Sequence, residues 1–192
     1  MSSIFQWLME ADTNLFLLLN GMHSSFFYTV MYWASNKWIW IPFYAWIFFR
    51  LRHIYQKDIV RIVLLIFFLV TASDQISTNI IKNFIARPRP CHEAALAEKV
   101  HLVKNYCGGE FGFVSSHAAN SFALLTSLFF LLKRKDKKLI QLLLTWAIIV
   151  SYSRIYLGVH YPGDVICGAL LGALLGKIFS EIYFRLTLNT KL

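Results

Sequence analysis

The sequence predicts an all-α protein, a polytopic membrane helix bundle that forms one membrane-embedded domain over residues 1–192. Hydrophobic residues make up 57% of the chain and charged residues only 15%, a composition unlike that of soluble domains. A bilayer crossing needs about 20 apolar residues, so about five crossings would occupy roughly 100 positions. The remaining positions suffice for connectors, one longer loop and the two ends.

The basic character of the chain does not indicate a nucleic-acid partner. The formal net charge is +9, but Lys and Arg stand next to apolar stretches, as the charges that flank membrane spans do. We therefore expect the lipid bilayer as a partner and no nucleic acid. No protein partner can be deduced from the sequence.

Residues 1–20 are expected to form a retained helix in the membrane interface. This segment has no basic region typical of a signal peptide, and Glu10 and Asp12 interrupt its apolar stretch. Its apolar residues nevertheless recur at roughly helical spacing. They are Ile4, Phe5, Trp7, Leu8, Leu15, Phe16 and Leu19.

Five later stretches are apolar enough to cross a bilayer. The first, residues 26–49, is interrupted by Ser35, Asn36 and Lys37. It is predicted to be one kinked span or two half-helices, so the total is five crossings with six as the alternative. The other four have about the length that a bilayer demands. They cover residues 59–85, 115–132, 139–157 and 165–186.

The distribution of Lys and Arg predicts the orientation of the spans. Basic residues gather in the connectors after the first and third spans, which lie on the same side. The positive-inside rule makes that side cytoplasmic. The outer loop, residues 86–114, and the connector over residues 158–163 then face the extracytoplasmic side of the cell (inner, or cytoplasmic) membrane. The basic residues are Arg50, Arg52, Lys57, Arg61, Lys133, Arg134, Lys135, Lys137, Lys138, Arg185 and Lys191.

Two cysteines lie in the outer loop and one in the last span. Cys91 and Cys107 are expected to form a disulfide, because the extracytoplasmic side is oxidising. Closing a loop of this size would stabilise the fold by about 3 kcal/mol. The alternatives are two free thiols, or a zinc site that includes His92 and His101, which their irregular spacing disfavours.

Three short segments place ionisable residues at the ends of apolar spans, where such residues are costly and usually functional. In residues 82–90 two prolines stop a helix, residues 114–117 open the next helix, and residues 153–164 join the last two spans. All three segments lie on the predicted outer side, so we expect them to form one site.

The first chemical element of this site is a phosphate cradle. Lys82, Arg89 and Arg154 supply positive charge, and an arginine fork matches two phosphoryl oxygens at once. Ser115 and Ser116 stand at a helix start, where free N–H groups and the helix dipole favour an anion.

The second element is a pair of histidines with one carboxylate. Asp164 follows His160 by four residues, across a Pro-Gly turn into a helix. The carboxylate can hold one imidazole N–H and leave the other nitrogen free to attack, while His117 remains for acid–base chemistry.

These segments resemble the signatures of the type 2 phosphatidic acid phosphatase family, whose fold is shared with vanadium haloperoxidases. Residues 82–90 fit Lys-x6-Arg-Pro and residues 153–164 fit Ser-Arg-x5-His-x3-Asp. Residues 114–117 match Pro-Ser-Gly-His only in the serine and the histidine, because Val114 and Ser116 replace the proline and the glycine. The short chain is similar to the small bacterial undecaprenyl diphosphate and lipid A phosphatases.

The resemblance implies a metal-independent, acid phosphatase-type hydrolase with no cofactor. His160 would attack phosphorus and form a phosphohistidine, and Asp164 would hold its tautomer. His117 would protonate the leaving oxygen and then activate water. The phosphate-binding positions implied are Lys82, Arg89, Ser115, Ser116 and Arg154.

The expected function is therefore hydrolysis of a phosphate monoester or diphosphate on a membrane lipid. Undecaprenyl diphosphate ranks first, lipid A phosphate second and phosphatidylglycerol phosphate third, with phosphatidic acid as a further candidate. Arg87 is either a solvated loop charge or an additional phosphate contact. The alternatives are a lipid phosphotransferase that uses the same residues, and a transporter with Lys82, Asp74 and Arg154 as an internal relay.

Overall fold

The computed structural model describes residues 3–132 and 135–189, and over these ranges the chain is almost entirely helical. The predicted all-α membrane fold is confirmed, and pairing of extended segments in the described chain is limited to one bridge between Pro88 and Phe111. The α-helices in these ranges are α1 (Ser3–Gly21), α2 (Ser25–Ser35), α3 (Ile41–Tyr55), α4 (Ile59–Gln75), α5 (Lys82–Ile85), α6 (Ser116–Leu132), α7 (Lys137–Tyr156) and α8 (Pro162–Asn189).

Three helical stretches of the described chain are long and apolar enough to cross a membrane. They are Lys37–Ile85, Lys137–Tyr156 and Pro162–Thr187, and Ser116–Leu132 is a shorter apolar helix. As a straight helix the first stretch would measure about 74 Å, more than twice the roughly 30 Å of a hydrocarbon core. It is divided at Gln56, where a φ of 42° ends α3, so α3 and α4 are separate segments.

The stretch predicted as the first span is divided at Asn36, so the form with two helical pieces is the one found. Asn36 has an extended backbone, and its side chain accepts a hydrogen bond from the Trp38 N–H at 3.0 Å. The stretch over residues 59–85 is continuous, because a π-helical segment, Ile76–Ile81, joins α4 to α5. Lys82 therefore lies in the last turn of this continuous helical stretch.

Helix α6 is the most buried helix and packs against α4, α7 and α8. Three glycines spaced one turn apart on α8, Gly168, Gly172 and Gly176, face α6 and allow close approach of the two backbones. A Cβ atom on Gly168 would lie 2.5 Å from the carbonyl oxygen of Ser115. The contact brings the first turns of α6 and α8 together, and the Ser115 N–H donates to the Asp164 carbonyl at 2.9 Å.

Helix α1 is tied to the part of the bundle that holds the predicted site. Phe16 is fully buried, and its ring meets that of Tyr161 edge-on at 5.4 Å. The Asn20 side chain donates to the Tyr156 carbonyl at 2.9 Å and accepts from the His101 N–H at 2.8 Å. Other apolar side chains of α1, such as Ile4, are exposed.

The opposite end of the bundle carries the connector between α6 and α7. Asp136 caps α7 by accepting from the Leu139 N–H at 3.1 Å, and it forms an ion pair with Arg50. Three of the basic residues on which the orientation prediction depends lie outside the described residues. They are Lys133, Arg134 and Lys191.

Candidate active site

His160 and Asp164 are adjacent at the start of α8. The His160 Nδ1 lies 3.4 Å from the Asp164 Oδ2, which also accepts from the Tyr161 N–H at 3.1 Å. Both side chains are buried, with His160 only 1% exposed. Pro162 opens the helix, so the residue four positions after the histidine returns to the imidazole as the spacing predicts.

The other nitrogen of His160 faces a guanidinium group. Its Nε2 lies 3.2 Å from the Arg89 Nη1, and because arginine can only donate, Nε2 is the acceptor and Nδ1 carries the proton. Burial holds the pKa of His160 well below its usual range, and three nearby cations lower that pKa further. The imidazole is therefore neutral at pH 7 and has a lone pair on Nε2, the state that a nucleophile requires.

The three cations predicted to bind phosphate come from α5, the outer loop and α7. Arg89 and Arg154 are buried residues, each 8% exposed. Their Nε atoms are buried and find no hydrogen-bond acceptor among the described residues. A buried donor without an acceptor is unfavourable, so an anion in contact with these N–H groups would be stabilised. The Arg87 Nε is likewise buried without an acceptor in the described chain.

Ser116, which replaces the glycine of the second signature, contributes its hydroxyl group to the site. Its Oγ accepts from the Lys82 Nζ at 3.2 Å and lies 3.0 Å from the Thr78 Oγ1. The substitution therefore adds a partner that holds the ammonium group at the start of α6.

The backbone N–H of Ser115, which the sequence analysis predicted to bind phosphate, is engaged within the protein. It donates to the Asp164 carbonyl, so that group is not free for a phosphate. The Ser115 Oγ accepts from the Ala118 N–H at 3.5 Å. The next N–H groups, those of Ser116 and His117, are ones that a helix leaves without an intrahelical partner.

His117 lies in the first turn of α6 and lines a cleft of about 510 Å³. Arg154 lines the same cleft, and its Nη1 donates to the Ser35 Oγ at the end of α2. The cleft is lined by Tyr32, Ser35, Asn36, Lys37, Trp38, Val103, Lys104, Tyr106, His117, Arg154, Leu157 and Val159.

Arg87 is not a solvated loop charge, and the guanidinium group that was predicted as a possible phosphate contact is paired with two carboxylates. Its Nη1 donates to the Asp164 Oδ1 at 2.9 Å, and its Nη2 forms an ion pair with the Asp12 Oδ2 at 2.8 Å. The guanidinium also stacks on the Tyr161 ring at 3.9 Å, and the side chain is 12% exposed. Two carboxylates therefore lie against its Nη1 and Nη2, while its buried Nε has no hydrogen-bond partner among the described residues.

Asp12 and Gly112 are site residues that the sequence analysis missed. Asp12 accepts from the Gly163 N–H at 2.7 Å, which connects α1 to the first turn of α8. A Cβ atom on Gly112 would lie 2.9 Å from the Asp164 Oδ2, so the loop backbone reaches the carboxylate only without a side chain. The charge of Asp12 inside an apolar helix was the one available signal.

A disulfide joins Cys91 and Cys107 in the outer loop, with their Cα atoms 5.9 Å apart. His92 lies beside them, and its ligand atom and the two sulfurs are within 4.8 Å of one another. Because both sulfurs are bonded to each other, this cluster offers no thiolate to a metal ion. Next to the disulfide, a Cβ atom on Gly108 would lie 3.6 Å from the Arg89 guanidinium carbon.

Cations surround a buried imidazole at one end of the apolar helix bundle, an arrangement that suits a membrane-bound hydrolase of lipid phosphates. Residues 63–188 match the model of the PAP2 superfamily. The chain belongs to this family, which confirms the resemblance of the three signatures.

Two relatives are lipid A 4'-phosphatases. The protein from Bacteroides thetaiotaomicron is 37% identical over 170 residues, which cover 88% of this chain and 75% of the relative. The protein from Porphyromonas gingivalis is 35% identical over 186 residues, which cover 93% of this chain and 75% of the relative.

Two solved structures have the same fold. LpxE from Aquifex aeolicus superposes with a TM-score of 0.60 and 25% identity, covering 88% of this chain and 94% of that one. The PAP2-type phosphatidylglycerolphosphate phosphatase from Bacillus subtilis has a TM-score of 0.65 and 22% identity, covering 96% of this chain and 88% of that one. The second similarity establishes the fold alone.

Proposed function

We propose that this lipid phosphatase cleaves a phosphate monoester through a phosphohistidine on His160. The observation that carries the proposal is the environment of this imidazole. Its Nδ1 lies beside Asp164, and its Nε2 lone pair lies beside Arg89 and the unpaired guanidinium N–H groups. A neutral nucleophile next to an anion-binding group has the arrangement that attack on phosphorus requires.

In the proposed first step, the His160 Nε2 forms a bond to phosphorus as the bond to the lipid oxygen breaks. Lys82, Arg89 and Arg154 stabilise the charge on the equatorial oxygens. His117 gives its proton to the departing oxygen, so the lipid leaves as an alcohol.

In the second step, the now neutral His117 takes a proton from water as the water oxygen attacks phosphorus. The bond between phosphorus and the His160 Nε2 breaks, inorganic phosphate is released, and the imidazole returns to its starting state. Asp164 keeps the proton on Nδ1 throughout and stabilises the positive charge of the phosphohistidine.

For the substrate we favour a lipid A-type phosphate monoester, because the two curated relatives that cover most of this chain are both named as lipid A 4'-phosphatases. The expected first rank of undecaprenyl diphosphate depended partly on Arg87 as an extra contact, and that side chain is paired with two carboxylates. The transporter alternative is not retained. Asp74, its proposed relay group, accepts from the Asn120 side chain at 3.1 Å in the contact between α4 and α6.

For the location we propose the cell (inner) membrane, with the site on the extracytoplasmic face. The disulfide between Cys91 and Cys107, within the loop that carries Arg89, supports an oxidising environment on that side. The tail of the lipid would remain in the bilayer while its phosphate enters between α2 and the outer loop.

The test measures phosphate release by the detergent-solubilised protein from lipid A, undecaprenyl diphosphate and phosphatidylglycerol phosphate. Wild type is compared with His160→Ala, and radiolabelled substrate is used to trap an acid-labile phosphoenzyme. We expect His160→Ala to abolish both turnover and labelling, whereas His117→Ala keeps some labelling with a good leaving group. Equal labelling of wild type and His160→Ala would contradict the assignment. Transfer of the label to a second lipid would indicate a phosphotransferase.

A further inference from the structure

Helix α1 docks against the start of α8 through one face. Asp12, Phe16 and Asn20 follow one another at four-residue intervals, so their side chains lie on the same side of the helix. Phe16 is fully buried against the Tyr161 ring, and the Asn20 side chain donates to the Tyr156 carbonyl at 2.9 Å. The face that makes these two contacts therefore also fixes the position of the Asp12 carboxylate.

The Asp12 carboxylate caps α8 from another helix. Its Oδ1 accepts from the Gly163 N–H at 2.7 Å, one of the first N–H groups that a helix leaves without an intrahelical partner. A negative charge is favourable at this end of the helix dipole. A Cβ atom on Gly163 would lie 2.7 Å from the Asp12 Oδ2, so the carboxylate comes this close only because residue 163 is a glycine. Asp12 thus stabilises the turn that joins His160 to Asp164.

The other Asp12 oxygen shares a guanidinium group with the carboxylate behind His160. The Asp12 Oδ2 forms an ion pair with the Arg87 Nη2 at 2.8 Å, and the Arg87 Nη1 donates to the Asp164 Oδ1 at 2.9 Å. These three side chains are at most 15% exposed, so salt and water screen their charges little. The positive charge of Arg87 is therefore divided between two carboxylates.

This division leaves a net negative charge beside the imidazole of His160. When the His160 Nε2 bonds to phosphorus in the proposed first step, its ring gains a positive charge, and the net charge of the two carboxylates and the guanidinium balances it. If Asp12 were neutral, Arg87 would cancel the charge of Asp164. The positive ring would then have no counter-charge on this side.

We infer that Asp12 is a positioning residue for His160, which makes α1 a necessary part of the active site. The inference rests on the proposed function, because it requires His160 to form the phosphohistidine. Asp12 acts through Arg87 and through the first turn of α8, and Asp164 carries its effect to the imidazole. Loss of the Asp12 charge should therefore slow the chemical step and leave substrate binding nearly intact.

The test separates the charge of Asp12 from its hydrogen bond. Asp12→Asn keeps an oxygen that can accept from the Gly163 N–H and removes the charge, and Glu10→Gln makes the matched change at an exposed position of α1. Arg87→Gln and the double variant Asp12→Asn/Arg87→Gln complete a cycle. For each protein, kcat, KM and the rate of phosphoenzyme labelling are measured on the lipid phosphate that wild type cleaves fastest. Thermal unfolding in detergent gives the folded fraction.

We expect kcat per folded enzyme to fall roughly tenfold in Asp12→Asn, as loss of a group that supports a catalytic residue does, with a matching fall in the labelling rate. KM should change little, and Glu10→Gln should match wild type. The double variant should lose no more activity than Arg87→Gln, because Asp12 has no charge to balance once Arg87 is neutral and the effects of coupled residues do not add.

An unchanged kcat in Asp12→Asn, or a loss in the double variant equal to the product of the two single losses, would overturn the inference. A loss confined to the folded fraction would do the same, because it would make Asp12 a structural residue only. If Asp12→Asn does not fold, the double variant decides, since it removes both partners of the buried ion pair. A kcat equal to that of Arg87→Gln then supports the inference, and a further fall contradicts it.

The labelling experiment also tells apart failure of the inference and failure of the proposed function. A labelled wild type with equal labelling in Asp12→Asn would remove Asp12 from the active site and leave the phosphohistidine in place. Absence of a phosphoenzyme in wild type would overturn the proposed mechanism and the inference together.

Discussion

Arg87 donates a hydrogen bond to the Oδ1 of Asp164 at 2.9 Å, although 77 residues separate the two in the chain. The same guanidinium is paired with Asp12, and Asp12 in turn accepts from the Gly163 N–H. The carboxylate behind His160 is therefore held by a buried network that begins in α1. Such a network fixes the orientation of the imidazole without contacting the substrate.

The first prediction is that Arg87→Gln lowers kcat roughly 10- to 100-fold, as loss of a group that orients a catalytic ligand typically does. KM should change little, because the Arg87 Nη1 and Nη2 lie against the carboxylates of Asp164 and Asp12. Steady-state rates and the extent of phosphoenzyme labelling check this, and Arg61→Gln serves as a matched control at an exposed arginine. A rise in KM with unchanged kcat would instead place Arg87 at the phosphate.

The second prediction concerns the pH dependence of kcat/KM, which reports the free enzyme. The pKa of His160 is lowered by burial and by Arg89, so the neutral nucleophile persists as the pH falls below the ordinary histidine value of about 6.5. Wild type should therefore retain activity below that pH. Removing the positive charge raises the pKa, so Arg89→Gln should move the acid limb to higher pH, whereas Arg89→Lys should not.

Titration of the substrate phosphate contributes equally to the profiles of all three enzymes in this experiment. A difference between the two Arg89 variants therefore belongs to the enzyme. Identical acid limbs for Arg89→Gln and Arg89→Lys would contradict the electrostatic coupling between this arginine and His160.

The third prediction is that Gly172→Ala destabilises the bundle. Its Cβ atom would overlap the Ala119 carbonyl oxygen in α6, a backbone atom that cannot move aside without displacing the helix. Overpacking of about 2 kcal/mol would lower the thermal midpoint in detergent by about 5 °C. Gly109→Ala is the control, because its Cβ atom meets nothing within 4 Å. Equal midpoints for the two variants would contradict the close contact of α6 with α8.

The fourth prediction concerns metal removal. Because Lys82, Arg89 and Arg154 supply the positive charge around the proposed phosphate position, phosphatase activity should persist in EDTA. Orthovanadate should inhibit, since it mimics the five-coordinate transition state. Complete loss of activity with EDTA, restored by Mg²⁺ or Zn²⁺, would contradict a cradle made of side chains alone. A magnesium-dependent phosphatase in the same buffer controls for chelation.

The sequence by itself determined the features that depend on local spacing. The apolar stretches define the helices, since burial in lipid requires about 20 such residues in succession. The four-residue separation of His160 and Asp164 places them on one face of a helical turn, so their contact follows from helix geometry. The three signatures also identified the family, because their residue types are those that phosphoryl chemistry needs.

Tertiary structure alone decided which distant segments meet. Asp12 and Gly163 lie 151 residues apart, and their contact exists because α1 packs beside the start of α8. The same packing places Arg87 against two carboxylates, whereas the sequence had left the role of this residue undecided. The close contact of α6 with α8 likewise engages the Ser115 N–H. Contacts of this kind depend on how helices fit against one another, and side-chain spacing along the chain does not encode that fit.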